Sequence, residues 1–321
     1  MFFISAIAII PLAKFIGEAT EELSIHTGPA LGGFLNATFG NATELIIGVF
    51  AIKAGLIEVV KASITGSIIG NLLLVLGMAI FFGGVKFKKQ EVNKTAALAS
   101  AATLLLAAIA LIIPAIFLQT APGVGGGVIE NLSLAVAVLM ILSYIANLLF
   151  SLKTHKHLYT EEVGKVEAKW SMKKSILILL GATVAVAWMS EILVGSIEPV
   201  VAIFGWTELF IGVIFVAIIG NAAEHTSAIT MALKNKMDLA VQISIGSATQ
   251  IVMFVMPVLI LISLMFKTQM SIVFNTFELI VIVLSVMIAN LIIEDGETNW
   301  FEGLQLMIAY FIIAIAFFLH P

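Results

Sequence analysis

Cysteine and arginine are both absent from this chain of 321 residues. The lack of cysteine excludes disulfide bonds and thiolate metal sites, and cysteine usage therefore gives no indication of the redox compartment. Charged residues are scarce, at 11%, and the net charge of −4 comes with no basic patch beside aromatic residues, so no nucleic-acid partner is indicated. Hydrophobic residues, by contrast, make up 61% of the chain, and the mean hydropathy is +1.14. Such a composition is typical of polytopic proteins in a lipid bilayer and not of soluble domains.

Ten apolar runs, most of them about 20 residues long or longer, are separated by turn signals and charge clusters. The predicted spans lie at 2–25, 31–54, 57–83, 94–118, 129–152, 174–200, 208–233, 239–265, 271–293 and 299–319. We therefore predict an all-α polytopic membrane protein with about ten transmembrane helices. The predicted division is a five-helix repeat at 1–152, a polar connector at 153–173 and a second five-helix repeat at 174–321. The first run lacks the basic start and the cleavage site of a signal peptide, so it is expected to remain as a helix.

Lysine placement predicts the orientation of the helices, because cytoplasmic loops carry an excess of basic residues. All sixteen basic side chains are lysine. Twelve lie on the same side of the membrane as the connector: Lys86, Lys88, Lys89, Lys94, Lys153, Lys156, Lys165, Lys169, Lys173, Lys174, Lys234 and Lys236. Only Lys53, Lys61 and Lys267 lie on the other side. We expect the connector to be cytoplasmic and both visible termini to be outside, in the cell membrane of a prokaryote.

A pentapeptide of the form Gly-Asn-Ala-X-Glu occurs twice, at Gly40–Glu44 and at Gly220–Glu224. A shift of 180 residues maps one copy onto the other, and the same shift carries Gly66-Ser67 onto Gly246-Ser247 in the next span. Because each half has an odd number of spans, the second copy would enter the membrane from the opposite face. Inverted repeats with a site near the bilayer midplane are typical of secondary transporters. The sequence therefore predicts two inverted five-helix repeats around one central site.

The acidic side chains of the pentapeptides, Glu44 and Glu224, are the leading candidates for that site. A charge at the centre of a membrane helix costs about 2.5–3.5 kcal/mol even on lenient scales, so an intramembrane carboxylate indicates function. Asn41 shares a helical stripe with Glu44, and Asn221 shares one with Glu224. One-face spacings on the third and eighth spans add four more polar candidates: Ser67, Asn71, Ser247 and Gln250.

These oxygen-bearing side chains predict a site for a hard divalent cation. Calcium takes about six to eight oxygen ligands, two carboxylates neutralise one such ion, and no sulfur ligand is available for a softer metal. The same two carboxylates can take up protons, since neighbouring carboxylates in a low-dielectric site cannot both stay charged without a cation. We expect Ca2+, or another divalent cation, to compete with H+ at Glu44 and Glu224, with His225 as a further proton-linked candidate. No cofactor other than the transported ions is expected.

Structural interpretations stay open for several of these residues. The glutamates could form hydrogen bonds between helices, membrane asparagines often join helices, and Gly-Ser pairs often serve packing. His225 could donate to a backbone carbonyl group. The repetition of the pattern in both halves favours a functional role for Glu44 and Glu224.

Three stretches of the sequence resemble one transporter family. They are residues 33–44 (GFLNATFGNATE), 220–225 (GNAAEH) and 295–303 (DGETNWFEG). They are similar to the cation/proton exchangers, the Ca2+/H+ antiporter (CAX) branch of the calcium/cation antiporter superfamily. The resemblance implies Ca2+ export driven by proton entry, alternating access, and an exchanging role for Glu44 and Glu224, with the other polar candidates near them. It also implies that the first and sixth spans are long tilted helices that slide to switch access.

Three other functions stay open. The sister Na+/Ca2+ exchangers resemble Gly-Thr-Ser-X-Pro-Glu at these positions, and the absence of proline from both pentapeptides favours H+ as the coupling ion. An intramembrane metal-dependent enzyme is less favoured, because the sequence has no His-Glu-X-X-His helix, serine nucleophile elbow or phosphate loop. A passive cation channel would not show saturable exchange. A homo-oligomer is compatible with each function.

Overall fold

The computed structural model of the protein describes residues 1–121, 123–155 and 168–320. Connector residues 156–167 lie outside the described residues, so the division of the chain at 153–173 stays a prediction. The first half contains α1 (Phe2–Thr27), α2 (Pro29–Phe39), α3 (Ala42–Lys53), α4 (Ile57–Ile69), α5 (Leu76–Phe87), α6 (Lys94–Thr120) and α7 (Gly126–Leu149). The second half contains α8 (Met172–Val194), α9 (Ile197–Phe204), α10 (Glu208–Phe210), α11 (Ala217–Gly220), α12 (Ala222–Leu233), α13 (Met237–Gln250), α14 (Met256–Ser263), α15 (Thr276–Ile293) and α16 (Trp300–Leu319). Within the described residues, π-helical segments continue these helices at Gly70–Val75, Phe150–Thr154, Ile211–Val216 and Ile251–Val255.

The predicted all-α polytopic fold class is confirmed, but the structure differs from the ten predicted spans in their number and in the continuity of two of them. Among the described residues, eight helices are long and apolar enough to cross a membrane, and a bent pair, Glu208–Gly220 with Ala222–Leu233, makes a ninth. The predicted second span at 31–54 is instead two short helices, α2 and α3, of 11 and 12 residues. The cause is the Gly40-Asn41 step, where Asn41 leaves the helical conformation at φ −101° and ψ 19°.

The internal repeat is visible in the backbone. Helices α3 and α12 begin and end at positions 180 residues apart, and so do the starts of α4 and α13 and of α5 and α14. Helices α4 and α13 also both run into a π-helical segment. The shift found in the sequence therefore corresponds to a shared course of the chain and not to a local motif alone.

The two most buried spans are corresponding parts of the two repeats. In Ile57–Phe87, 72% of the most apolar window is buried, and in Met237–Ser263 the value is 67%, against 22% for Trp300–Leu319. Ile57–Phe87 and Met237–Ser263 therefore form the centre of the bundle. They correspond to the third and eighth predicted spans and carry the polar candidates of those spans. Large apolar side chains such as Leu105 and Leu177 are exposed on the peripheral helices, as expected for a surface in contact with lipid.

Helices α1 and α8 pack along one another and have a small core of their own. Ile16, Ala19 and Leu23 of α1 meet Leu179 and Val186 of α8 in a cluster that is separate from the main core. Only a few side chains of α3 and its surroundings join that cluster.

The acidic stretch at 295–303 builds a turn, a strand and a helix start. Strand β2 (Glu297–Thr298) pairs antiparallel with β1 (Gln90–Glu91), so that Gln90 faces Thr298. Asn299 and Glu302 then form a capping box, in which each side chain accepts a hydrogen bond from the other residue's backbone N–H. Glycine at position 84 lets α5 approach the start of α16, because a Cβ there would overlap the backbone of Trp300.

The Gly84→Ala variant is expected to lose about 1–3 kcal/mol of stability, since its methyl group has no room beside the Trp300 backbone. The matched control is Gly181→Ala on α8, where a Cβ meets nothing within 4 Å and alanine favours the helix. Thermal unfolding of the detergent-solubilised protein measures both. Equal Tm values for the two variants would contradict the close contact of α5 with α16.

Candidate cation-binding site

Each pentapeptide forms a break in a helix, and its glutamate lies in the first turn after the break. Helix α12 bends by 59° away from the Glu208–Gly220 segment. Asn221 at that break has φ −95° and ψ 16°, close to the values of Asn41 in the other repeat. The Asn221 side chain donates to the Ala217 carbonyl oxygen at 2.9 Å, which is the kind of local side-chain bond by which asparagine competes with a helix.

These breaks create helix ends in the interior of the bundle. Glu44 and Glu224 lie at the N-terminal ends of α3 and α12, where the positive end of the helix dipole stabilises a carboxylate by about 0.3–1 kcal/mol. The carbonyl ends of the preceding half-helices meet the same breaks and carry the opposite partial charge. Broken helices in membrane transporters use such ends to bind ions.

The two glutamates are brought together by the bundle. The Glu44 side chain lies against Gly220, with Oε1 3.1 Å from the place that a Cβ of Gly220 would occupy, and its charge interacts with that of Glu224. Both carboxylate oxygens of Glu44, and Oε2 of Glu224, are buried without a hydrogen-bond partner. Buried carboxylate oxygens without donors are unfavourable, so this arrangement calls for protons or a cation.

Asn71 is the centre of a hydrogen-bonded cluster that joins the two repeats. Its Nδ2 donates to Asn221 Oδ1 at 2.7 Å, to Ser247 Oγ at 2.9 Å and to the Ser67 carbonyl oxygen at 2.9 Å. Asn221 Nδ2 in turn donates to Ser67 Oγ at 2.8 Å. The Oδ1 atom of Asn71 is buried without a partner. The cluster thus links α4, α12 and α13 and leaves one amide oxygen available.

The remaining predicted residues occupy different places. Asn41 Nδ2 donates to Gln250 Oε1 at 2.6 Å, so these two form a second link between the repeats. His225 follows Glu224 on α12, and none of the site's hydrogen bonds between described residues involves its ring. The six amide and hydroxyl side chains therefore form two hydrogen-bonded groups, and none of these hydrogen bonds involves a glutamate. Glu44 lines the same cavity as Ser67, and Glu224 and His225 follow Asn221 on α12.

A small cavity of about 10 Å3 adjoins Glu44, roughly the space that one water molecule needs. Its polar lining is Glu44, Ser63 and Ser67, and its remaining lining is apolar. Ser63 is absent from the sequence-based candidates. The signal that could have identified it is its position four residues before Ser67, on the same face of α4.

Among the described residues, Glu44 and Glu224 are not part of a larger cluster of acidic or histidine side chains. Within the described ranges, no three or more His, Cys, Asp or Glu side chains are placed to hold a metal ion. A cation at this site would need further oxygens from amide, hydroxyl or backbone groups or from water.

The two repeats pack differently around the site. Gly66 of α4 contacts the Ile211–Val216 segment so closely that a Cβ would overlap the Val213 carbonyl oxygen. Gly212 is equally confined, since its Cβ would lie 2.8 Å from the Val59 carbonyl oxygen. Gly246, which corresponds to Gly66, has nothing within 4 Å of a Cβ. Among the described side chains, the close contact beside α4 therefore has no counterpart beside α13.

Comparison with known proteins gives a consistent set of relatives. A protein family described as "Sodium/calcium exchanger protein" matches residues 1–153 and 174–319. The Ca2+/H+ antiporter ChaA of Bacillus subtilis is 50% identical over 327 residues, which cover 99% of this chain and 92% of that protein. A Ca2+/H+ antiporter of Synechocystis is 46% identical over 339 residues, which cover 100% and 91%. The solved structure of native YfkE matches with a TM-score of 0.87 and 47% identity, over 99% of this chain and 92% of that one.

Replacing Asn71 with alanine is expected to destabilise the protein by about 1–3 kcal/mol, because Asn221 Oδ1 and Ser247 Oγ lose their donor in a buried place. The measurement is thermal unfolding in detergent, with Asn131→Ala on the exposed face of α7 as the matched control. If both variants unfold at the wild-type temperature, the cluster does not hold the helices together.

Proposed function

The chain belongs to the sodium/calcium exchanger family, and from this premise we propose that it exchanges Ca2+ for H+ across a membrane. The resemblance to Ca2+/H+ antiporters in the sequence is confirmed, since relatives 46% and 50% identical over nearly their full lengths carry that name. The relatives are transporters, and the chain is a transporter and not an enzyme. Its many apolar helices make it a multi-pass integral membrane protein.

The observation that carries the proposal is the set of buried oxygens without partners. Of the buried oxygens that have no hydrogen-bond partner among the described residues, four lie at this site: both carboxylate oxygens of Glu44, Oε2 of Glu224 and Oδ1 of Asn71. We propose that these atoms bind Ca2+, which takes about six to eight oxygens and often includes water among its ligands. Ser67, Ser247 and Asn221 are hydrogen-bonded to one another and to Asn71, so we assign them chiefly to holding the site. Asn41 and Gln250 form the second such link.

Exchange follows from charge. With Ca2+ bound, the charges of Glu44 and Glu224 are neutralised, and without Ca2+ protons neutralise them instead. An empty site with both carboxylates charged is too costly in this low-dielectric interior to move between the two faces of the membrane. One ion is therefore released only when the other takes its place, which is the condition for antiport and excludes a passive channel.

The choice of H+ over Na+ rests on two supports. The family description includes sodium/calcium exchange, whereas the relatives with 46–50% identity are named Ca2+/H+ antiporters. Neither pentapeptide contains proline. We therefore place this chain with the proton-coupled members.

Access to the site would alternate through the difference in packing between the repeats. Segment Ile211–Val216 is packed against α4, whereas Gly246 on α13 stands free. With the connector in the cytoplasm, the packed contact of α4 would lie on the outer side of the site, and access in this arrangement would be from the cytoplasm. The α1 and α8 pair, which has its own small core, is suited to sliding past the main core. We place the protein in the cell membrane, as the lysine distribution suggests.

We expect Glu44→Gln and Glu224→Gln each to abolish exchange, because one remaining carboxylate cannot neutralise Ca2+. Removing one partner of a buried charged group costs about 3–5 kcal/mol, which corresponds to a loss of more than about a hundredfold. The measurement is uptake of labelled calcium into proteoliposomes with an imposed pH gradient and without sodium.

The control for these variants is Glu130→Gln, which alters an exposed carboxylate on α7. Wild-type rates in either Glu44→Gln or Glu224→Gln would refute the assignment. Uptake by the wild-type protein that requires a sodium gradient would instead assign it to the sodium-coupled members.

Gly246→Ala is expected to reduce transport at least tenfold without lowering Tm. In this structure the added methyl group meets no described atom within 4 Å. In the opposite access state, residues 31–36 would pack against α13 in the way that Ile211–Val216 packs against α4 here. The methyl group at position 246 would then overlap that segment, as a Cβ at Gly66 would overlap Val213. A tenfold loss corresponds to about 1.4 kcal/mol, within the usual range for overpacking. Gly66→Ala is the matched variant, and it should lower both Tm and transport. Normal transport by Gly246→Ala would rule out the mirrored closure.

A further inference from the structure

One fully buried carboxylate takes no part in the proposed exchange. Glu278 lies in the first turn of α15 and is 1% exposed. It forms a capping box with Asn275: its backbone N–H donates to Asn275 Oδ1 at 2.8 Å, and its Oε2 accepts from the Asn275 backbone N–H at 3.2 Å. The capping box accounts for one carboxylate oxygen and leaves the other free for a second contact.

The second oxygen reaches another helix. Glu278 Oε1 accepts a hydrogen bond from Thr65 Oγ1 of α4 at 2.9 Å, and Thr65 is also fully buried. Several other buried hydroxyl groups in this bundle donate to the carbonyl oxygen four residues earlier in their own helix. Thr20, Thr249 and Ser285 are examples. The Thr65 hydroxyl instead points away from its own helix, and its hydrogen bond to Glu278 is a specific contact between α4 and α15.

Thr65 lies behind the site on the same helix. It is two residues from Ser67, so the two side chains point about 200° apart, to opposite faces of α4. Gly66 between them packs against the Val213 backbone, and residues Gly70–Val75 after α4 are π-helical. The neighbouring Ile64 and Ile68 are buried by apolar packing, which has no preferred direction, so the hydrogen bond of Thr65 adds a directional contact to this part of α4.

The second repeat has no such anchor. The residue that corresponds to Thr65 is Ile245, which carries no hydroxyl group, and the adjacent Gly246 stands free. The hydrogen bond between Thr65 and Glu278 therefore belongs to α4, the helix with the close glycine contact. The corresponding residue of α13, Ile245, cannot form such a bond.

We infer that Glu278 is a positioning residue, which through Thr65 fixes the rotation of α4 and so holds Ser67 and Asn71 in register with Asn221 and Ser247. This inference rests on the proposed function, because it concerns the geometry of the proposed cation site. Glu278 bonds to Thr65 and Asn275 and is not one of the proposed cation ligands, so it acts through α4.

The test is the Kd for Ca2+ of the purified protein, measured by calorimetry together with Tm. Thr65→Val should raise the Kd about three- to fifteenfold, as expected for the loss of an interhelical hydrogen bond in a membrane protein. Thr65→Ser should restore it to within about twofold of wild type. The matched control is Thr249→Val on α13, where the lost hydroxyl bonds only to its own helix and the Kd should stay unchanged.

A double-mutant cycle separates positioning from a general loss of packing. Thr65→Val and Glu278→Gln should have non-additive effects on the Kd, because both alter the same contact. An unchanged Kd in Thr65→Val, or strictly additive effects, would overturn the role of Glu278 and leave the proposed function intact. A wild-type protein that binds no Ca2+ would instead overturn the proposed function itself, and the inference with it.

Discussion

The structure depends on one unfavourable arrangement, two carboxylates buried without hydrogen-bond donors inside an apolar bundle. Both oxygens of Glu44 and one of Glu224 lack a partner, and each glutamate belongs to a different half of the chain. Such groups are tolerated only when protons or a cation neutralise them. The helix breaks at Asn41 and Asn221 reduce the cost, because they place both side chains at helix N-terminal ends. The same need for neutralisation gives a physical basis for coupling one ion to the other.

Amide and hydroxyl groups join the helices around these carboxylates without adding charge. Asn71 alone bonds to three partners on α4, α12 and α13, and Asn41 bonds to Gln250. Neutral hydrogen bonds suit an interior whose charge must change during a transport cycle, since they are satisfied in the same way whichever ion is bound. Glycine allows the close helix contacts around them, most clearly where Gly66 meets the backbone of Val213.

A symmetric sequence pattern has produced an asymmetric structure. Gly66 and Gly246 correspond in the repeat, yet one is packed and the other stands free. Thr65 forms a buried bond to Glu278, whereas its counterpart is Ile245. Two states related by the inverted repeat would have equal energy only if the halves were identical. Differences of this kind give one state a preference, while α1 and α8 share a small core with each other and also contribute buried side chains to the main core.

The sequence by itself determined the membrane class, most of the helical spans and the central pentapeptides, because apolar run length and a repeated carboxylate are properties of the chain taken locally. It also predicted that Glu44 and Glu224 lie near one another, since the repeat relates them. Tertiary structure alone decided that the second span is broken, that Ser63 lines the cavity, that Gln90 pairs with Thr298, and that Thr65 bonds to Glu278. Periodicity shows which residues share a face of one helix, but it does not show which neighbour that face meets. Asn41 and Gln250 are 209 residues apart, and only the packing of the whole bundle makes them partners.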